Sequence, residues 1–555
     1  MKRLGSGVLC LLAFVAFAAI RSTSLHPSSH LSAPSPSERV GTVDFPVSCA
    51  ASVRARFNRG VALLHDFWYD EARAQFEQIA TLDPSCAMAH WAIAMSVFRQ
   101  LWEWPDDATL AVGWREMQAA ESLSAPTALE REYIAALGDF FRPGARDYPA
   151  RIEHYAESMH TLYGHHPNEV DAGAFYALAI LAAEAPNDTS LTRRSQALAV
   201  LRPLYDRNPD HPGVVHYIIH ACDTPSMASQ GLAAAQRYGD LAASAPHAVH
   251  MPGHIFARLG MWQADIDANR AAVAASQAAE ARHQSGAMDQ FHADDFLLYA
   301  YLQSGQDDAA RTVVNESAAL IDRYAAMPAM SGRYMVSMFP YFRTKLPIFL
   351  ALETRDWNVA SALPPIEGAP PDVRILTYWA RIVADGHLHR SQQVRSDGAA
   401  YVALMAQWKS GAHLYSARST GARIQQGEMF AWTAFAQGDI DHSLTQMRET
   451  ADLQDKVGQG EVDIPAREML ADMLLETAHP REALVEYRRA LTLSPNRFNG
   501  LYNAGRAAEA LGDRQAAGDY YAALLDATSQ GAHSSRSELQ HAKTFMLASA
   551  GAHDR

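Results

Sequence analysis

The sequence predicts an all-α solenoid of stacked antiparallel helix pairs, and three observations carry that prediction. Two histidine pairs repeat at one spacing: His216 and His250 are 34 residues apart, and so are His220 and His254. The same step recurs late in the chain, where Tyr487 and Tyr521, and Ala483 and Ala517, are also 34 apart. No alternating apolar–polar run marks a strand anywhere. Thirty-four residues is the period of the tetratricopeptide repeat, a helix–turn–helix unit that buries its apolar face only by stacking on its neighbours.

With 48% hydrophobic and 19% charged residues over 555 positions, the composition is that of an ordinary soluble protein rather than a disordered one. A formal charge of −14 and the lack of a basic stripe argue against a nucleic-acid partner. Lys2 and Arg3 precede an apolar run from Gly7 to Ile20 that ends near Ala16-Phe17-Ala18, so residues 1–20 are expected to be a cleaved signal peptide. The mature protein is then periplasmic or secreted. The run is short for a membrane span, and membrane attachment is expected only if it stays uncleaved. Ser and Pro crowd the stretch from Ser22 to Ser37, and residues 21–44 read as a flexible linker. Losing Cys10 with the signal leaves Cys49, Cys86 and Cys222. Cys49 lies just before the first helix and Cys86 at the turn closing the first repeat. In an oxidising compartment the two are candidates for a disulfide, with two buried thiols as the alternative. Cys222 has no assigned role.

The elements follow in order. The first repeat, Phe57–Ala89, carries Gly60, Leu63, Leu64, Phe67, Tyr69, Ala72, Phe76, Ala80 and Asp83-Pro84. Small residues stand where helices cross, aromatics fill the packing slots and Pro closes the unit. The pattern loosens from Gln100 to Pro149, where Leu101-Trp102-Glu103-Trp104-Pro105 is a break whose aromatics are read as packing. Helical pairs resume at Arg151–Tyr163 and Val170–Ala183. Arg194–Asn208 is the outer helix before a turn at Asn208-Pro209-Asp210-His211-Pro212, and the helix with His216 and His220 comes next. Gln230–Ala243 is another outer helix, ended by Pro246. Pro252 is expected in the first turn of the following helix, where its missing N–H is harmless. That sets His250 at the helix start and His254 one turn inside.

His292 and Asp295 open one more unit. Relative to His254 and Gly260, the landmarks His292 and Gly305 arrive 38 and 45 residues later, so an insertion is expected near Arg282–Asp289. Pro364-Pro365 and Pro370-Pro371 mark a hinge. The expected lobes are residues 45–345 and 346–555, with a cap or tail beyond Ser529.

Residues four apart share a helical face, so each His pair presents two imidazoles together. Neighbouring helix axes lie about 8–10 Å apart, close enough for side chains from both to meet at one ion with Zn–N bonds of about 2.0–2.1 Å. The candidate metal ligands are His216, His220, His250, His254, His292 and Asp295. His247 and Asp223 are placed to orient those ligands by hydrogen bonding. So many donors exceed one tetrahedral shell, so either some serve only to orient others or two ions bind. A nitrogen-rich set with a carboxylate and no thiolate suits Zn, Cu(II) or Fe(II) and disfavours Ca and Mg. The histidines could instead be hydrogen-bonding groups of a half-buried helix face or of a peptide groove.

Several runs resemble a group of exported bacterial tetratricopeptide-repeat proteins. They are Phe45-Pro46-Val47-Ser48-Cys49, Cys86-Ala87-Met88-Ala89-His90-Trp91, His216-Tyr217-Ile218-Ile219-His220, His250-Met251-Pro252-Gly253-His254-Ile255-Phe256 and Asn496-Arg497-Phe498-Asn499. The similarity spans most of the mature chain, and its His-Met-Pro-x-His element is the most specific part. Cys222 stands where such relatives usually carry Tyr. The resemblance implies the fold and export, and no reaction.

Catalytic residues are unknown from the sequence. Asp223 and Glu184 are candidate bases that read more simply as helix-end or surface carboxylates. His65, Asp66, His90, His387 and His389 read as structural or exposed. Arg497 could contact an anion, although Asn496 capping a helix with Phe498 packed inside is the simpler reading. No phosphate loop, nucleophile elbow or metalloprotease motif is present. Two functions stay open. One is a transition-metal protein, and if an enzyme then a metal-dependent hydrolase or oxidoreductase acting on a small molecule or peptide. The other is a non-catalytic scaffold whose concave groove holds a peptide or protein partner of the cell envelope.

Overall fold

A computed structural model describes residues 38–101, 104–144, 146–185, 188–327, 334–408, 420–458, 460, 462–529 and 534–553. The expected signal segment, most of the linker, and Trp102 and Glu103 lie outside these residues.

Helices follow one another in antiparallel pairs. The first four pairs are α1 (Ala51–His65) with α2 (Tyr69–Leu82), α3 (Ala87–Val97) with α4 (Asp107–Ser122), α5 (Ala128–Phe141) with α6 (Tyr148–His165), and α7 (Val170–Ala182) with α8 (Thr192–Arg207). Next come α9 (Pro212–Cys222) with α10 (Ala228–Leu241), then the broken inner helix α11 (Pro246–His250) and α12 (Pro252–Arg258) against α13 (Trp262–Ala281), and α14 (Asp289–Gln303) with α15 (Asp307–Ala325). A π-helical turn at Tyr334–Met338 leads to α16 (Phe339–Glu353) with α17 (Trp357–Ala362), α18 (Pro371–His387) with α19 (Ser391–Gln407), and α20 (Thr420–Ala436) with α21 (Ile440–Val457). The last are α22 (Ala466–Glu476) with α23 (Pro480–Leu493) and α24 (Phe498–Ala510) with α25 (Arg514–Ala527), closed by α26 (Ser537–His553). Among the described residues there is no strand, and no helix is long and apolar enough to cross a membrane.

The pairing follows from two kinds of helix. Inner helices such as α3 (AMAHWAIAMSV) and α7 (VDAGAFYALAILA) are apolar nearly all round and buried along most of their length. Outer helices such as α23 bury one stripe (Ala483, Leu484, Tyr487, Ala490) and leave the rest in solvent. Close crossing needs a residue without a side chain at the contact. A Cβ on Gly60 would lie 2.6 Å from Phe76 Cζ, and the same small-against-aromatic contact recurs between Gly505 and Tyr521. A disulfide joins Cys49 to Cys86 and ties the chain entering α1 to the start of α3.

The inner helices also meet partners several pairs away. His65 at the end of α1 reaches Tyr217 of α9 (Nδ1 to the hydroxyl, 2.9 Å) and Asp171 of α7 (Nε2 to Oδ1, 2.9 Å). The expected insertion lies between α13 and α14, and it packs on the first pair. Trp68 Nε1 donates to the Ser285 carbonyl (2.9 Å), and the Ser285 amide donates to Glu71 Oε1 (2.9 Å). A second long-range junction centres on Arg497, which is not an anion-contact point. It is buried and forks onto Glu353 (2.9 Å) and Glu468 (2.8 Å). Asn496 does not cap α24: Arg497 holds the cap position, and Asn496 turns in a left-handed conformation (φ 58°) to donate to the Gly260 carbonyl at 3.2 Å. Buried apolar side chains form two large clusters, one from Val40 to Ala279 and one from Ala257 to Phe545.

One local departure shapes the site. Pro246 does not merely end α10; it opens α11, a single turn that Pro252 interrupts after His250. Proline has no N–H to continue the ladder, so the run of helical hydrogen bonds is interrupted between His250 and His254.

Candidate metal centre

The five candidate histidines and His247 sit on α9, α11, α12 and α14, and these six imidazoles gather into two groups of three. His216 and His220 of α9 join His247 of α11; His250 of α11 and His254 of α12 join His292 of α14. Within each group one ring nitrogen per residue lies within 4.8 Å of the others. The i, i+4 pairs therefore stay together, and each takes its third imidazole from an adjoining helix. His247 stands beside His216 and His220 rather than behind them. Asp295 is directed elsewhere: it forms a buried ion pair with Lys345 of α16.

The first group is largely interior and the second reaches the surface. His216, His247 and His250 are 0%, 7% and 1% exposed, His220 and His254 are half-buried, and His292 is exposed. Burial holds the imidazoles of His216 and His247 well below the ordinary histidine range, with repulsion from neighbouring histidines adding to it. Both are thus neutral at pH 7, the form that binds metal.

Hydrogen bonds behind the rings set which nitrogen faces inward. His216 Nδ1 donates to the His65 carbonyl at 2.6 Å, and its Nε2 is buried with no hydrogen-bond partner among the described residues. His250 Nδ1 lies 2.7 Å from Asn269 Oδ1. The Asn269 amide is oriented in turn, because its Nδ2 donates to Asp265 through the carbonyl (2.9 Å) and Oδ1 (2.7 Å). His254 Nδ1 donates to Asp223 Oδ2 at 3.1 Å, while Arg258 Nε holds Asp223 Oδ1 at 3.0 Å. An acceptor at Nδ1 fixes the proton there and leaves the Nε2 lone pair for a cation.

The consequence is sharpest at His250 and His254, whose Nε2 atoms are 3.0 Å apart. With both Nδ1 atoms donating, two lone pairs face each other, which only a shared proton or a cation makes attractive. Phe296 packs its ring 4.8 Å from both imidazoles, and a cation between the two Nε2 atoms would satisfy both lone pairs at once. Two nitrogens on one ion at 2.0–2.1 Å would be about 2.9–3.4 Å apart for bond angles of about 90–110°. The donor set fits a transition metal.

Gly253 explains the motif. A Cβ there would lie 2.8 Å from both Asn269 Nδ2 and Asp265 Oδ1. Only glycine lets α13 approach α12 closely enough to put Asn269 behind His250. Asp265 is fully buried, and burial holds its carboxyl well above the usual range against the opposing effect of His254 and Asn269.

The first group has an aromatic wall. Phe67, in the α1–α2 turn, places its ring 4.4 Å from that of His216 and 5.5 Å from those of His220 and His247. Its backbone is left-handed (φ 57°), a conformation that side-chain-bearing residues seldom adopt. Tyr238 stacks on His216 at 5.0 Å and its hydroxyl donates to the buried Asp66 at 2.8 Å. Burial raises the Asp66 carboxyl well above its ordinary value.

Two further clusters have ligand-like spacing and are committed to other work. In His65–Asp171–His211, Asp171 Oδ1 accepts from His65 Nε2 (2.9 Å) and His211 Nε2 (3.3 Å), and His65 Nδ1 accepts from Tyr217. Burial pushes His65 down to about 4, and although burial opposes ionised Asp171, its two histidines hold it below the usual range. Cys49, Asp83 and Cys86 form the other, where the sulfurs are joined and Asp83 Oδ2 accepts from the Ala50 amide at 2.7 Å. Of the two candidate bases, Asp223 stands behind His254 as described, and Glu184 pairs with Arg194 at 3.0 Å.

No family model matches the chain, and no curated protein matches it. Solved structures it is similar to include the TPR domain of P58(IPK), at 11% identity over 90% of this chain and 99% of that one, TM-score 0.20. Yeast Tom70 is another, at 14% identity over 84% of this chain and 96% of that one, TM-score 0.31. The paired helices themselves make the all-α solenoid.

Proposed function

We propose that the chain is an exported metalloprotein that binds a transition metal, Zn, Cu or Fe, through the histidines of α9, α11, α12 and α14. The observation that carries this reading is the 3.0 Å approach of two Nε2 atoms whose Nδ1 atoms are both held by acceptors. Three imidazoles leave a four-coordinate ion one open position, where a metal acts as a Lewis acid on a bound molecule. The chain's own contribution is to hold His216 and His247 neutral by burial, fix the tautomers of His216, His250 and His254 through His65, Asn269 and Asp223, and wall the first group with Phe67. Export is supported by the Cys49–Cys86 disulfide, since such bonds persist in oxidising compartments.

The test is titration of the purified, chelator-stripped chain with Co(II), whose visible absorption bands report coordination by nitrogen. Bands that saturate and are lost in His250→Ala and His254→Ala support the reading; no bands overturn it. A second reading, a scaffold for a peptide or protein partner, is supported by an open cleft of about 580 Å³ lined by Glu153, His160, Tyr176, Arg193 and Val200 among others. It predicts no metal uptake, and binding of a partner that is lost on altering Tyr176 or Arg193.

A further inference from the structure

We infer that the two three-histidine groups are separate metal sites of unequal exchange. The inner site, His216, His220 and His247, retains its ion, and the outer site, His250, His254 and His292, opens to solvent and takes a small oxygen- or nitrogen-donor ligand in its free coordination position. This rests on the metal reading and goes beyond it.

The groups share no residue. Ring centroids within the inner group are 4.7, 5.2 and 6.3 Å apart, and within the outer group 4.9, 4.4 and 5.7 Å. Across the divide, His247 and His250 stand one turn apart on α11 with ring centroids 6.4 Å apart. The sites therefore adjoin, and among the described residues each offers three imidazole donors, the number typical of an ion that keeps one position open.

Their surroundings differ. Around the inner group stand Phe67, fixed in a left-handed turn, and Tyr238, anchored on buried Asp66. An ion there leaves only when these packed rings move, which couples release to local opening of the fold. The outer group has one exposed member, His292, and one half-buried member, His254. Its hydrogen-bonded anchors, Asn269 and Asp223, lie behind the rings and orient them without closing the solvent side. An ion there is reachable by a solvent-borne ligand without unfolding anything.

The experiment loads the full mature chain with Zn(II) and follows release to an excess of the chromogenic chelator 4-(2-pyridylazo)resorcinol. Two equivalents should leave in two phases, the second slower by about tenfold or more because it waits on local opening. His292→Ala should abolish the fast phase and leave the slow one. His216→Ala should abolish the slow phase, and Phe67→Leu, which keeps the core filled, should speed it while leaving the fast phase unchanged. In the Co(II) form, azide should shift only the absorption lost in His292→Ala. A single equivalent, or one ion lost in both histidine variants, overturns this inference and leaves the metal reading standing. No metal in any form overturns both.

Discussion

Gly253→Ala separates the proposed metal site from the fold it sits in. The added Cβ would stand 2.8 Å from Asn269 Nδ2 and 2.8 Å from Asp265 Oδ1. Neither group can swing into solvent, because both residues are fully buried. Asn269 must therefore withdraw, and the 2.7 Å contact that orients His250 is lost. Loss of an orienting partner behind a metal-bound histidine typically lowers affinity by about 10–100-fold, or about 1.4–2.7 kcal/mol. The effect on stability is smaller, because overpacking costs about 1–3 kcal/mol while replacing a helical glycine with alanine returns about 1 kcal/mol. Gly239→Ala is the control, since its Cβ would meet only Pro252 Cγ at an ordinary 3.8 Å. Zn(II) affinity measured by chelator competition, beside thermal unfolding, should show Gly253→Ala weakened by at least about tenfold with a modest change in melting temperature, and Gly239→Ala unchanged in affinity. Equal affinity for Gly253→Ala and the parent would refute the orienting role of Asn269.

Three other outcomes follow from the packing. Arg497→Met leaves Glu353 and Glu468 as uncompensated buried charges and should destabilise the chain by about 3–5 kcal/mol in urea unfolding, with Glu353→Gln and Glu468→Gln restoring part of the loss. Removing the disulfide by Cys49→Ser opens a constraint between residues 37 apart in sequence and should cost about 2–4 kcal/mol, seen as a lower melting temperature equal to that of the reduced parent. Burial, with Asp463 adding to it, holds the Glu428 carboxyl well above its ordinary 4.5, against the Trp379 hydrogen bond. The folded state thus keeps a proton that the unfolded chain has released, and this contribution to stability, full below pH 4.5, is lost as pH rises through the folded value. Glu428→Gln keeps an acceptor for Trp379 Nε1 (2.8 Å) and should gain on the parent between pH 5 and pH 8, by about 1–2 kcal/mol in urea midpoints.

Local pattern made the repeats and the histidine pairs legible. His216 with His220 and His250 with His254 share faces because helical geometry alone dictates it, and the 34-residue step follows from the stacking of identical units. What the sequence did not disclose depends on contacts between distant segments. Asp295 shares a face with His292, yet Lys345, fifty residues on, claims its carboxylate. Phe67 reads as an ordinary packing aromatic until α1 is seen to meet α9, about 150 residues later. In the 34-residue register His247 corresponds to Gly213 rather than to a histidine, and only the fold sets it beside His216 and His220 of α9. Asn269 carries a signal in the sequence: with Asp265 it forms an i, i+4 polar pair in an alanine-rich helix, where a buried amide needs a partner. Asn496 reads as a cap by residue type, but its place beside Gly260 arises from a junction 236 residues apart.

The most direct test of the central claim is elemental analysis of the mature chain, purified from an export compartment without a histidine tag or chelator. One or two equivalents of Zn, Cu or Fe per chain are expected, falling in His250→Ala and His254→Ala proteins that still fold. A folded chain that carries none of these metals, and takes up none when they are supplied, would contradict it.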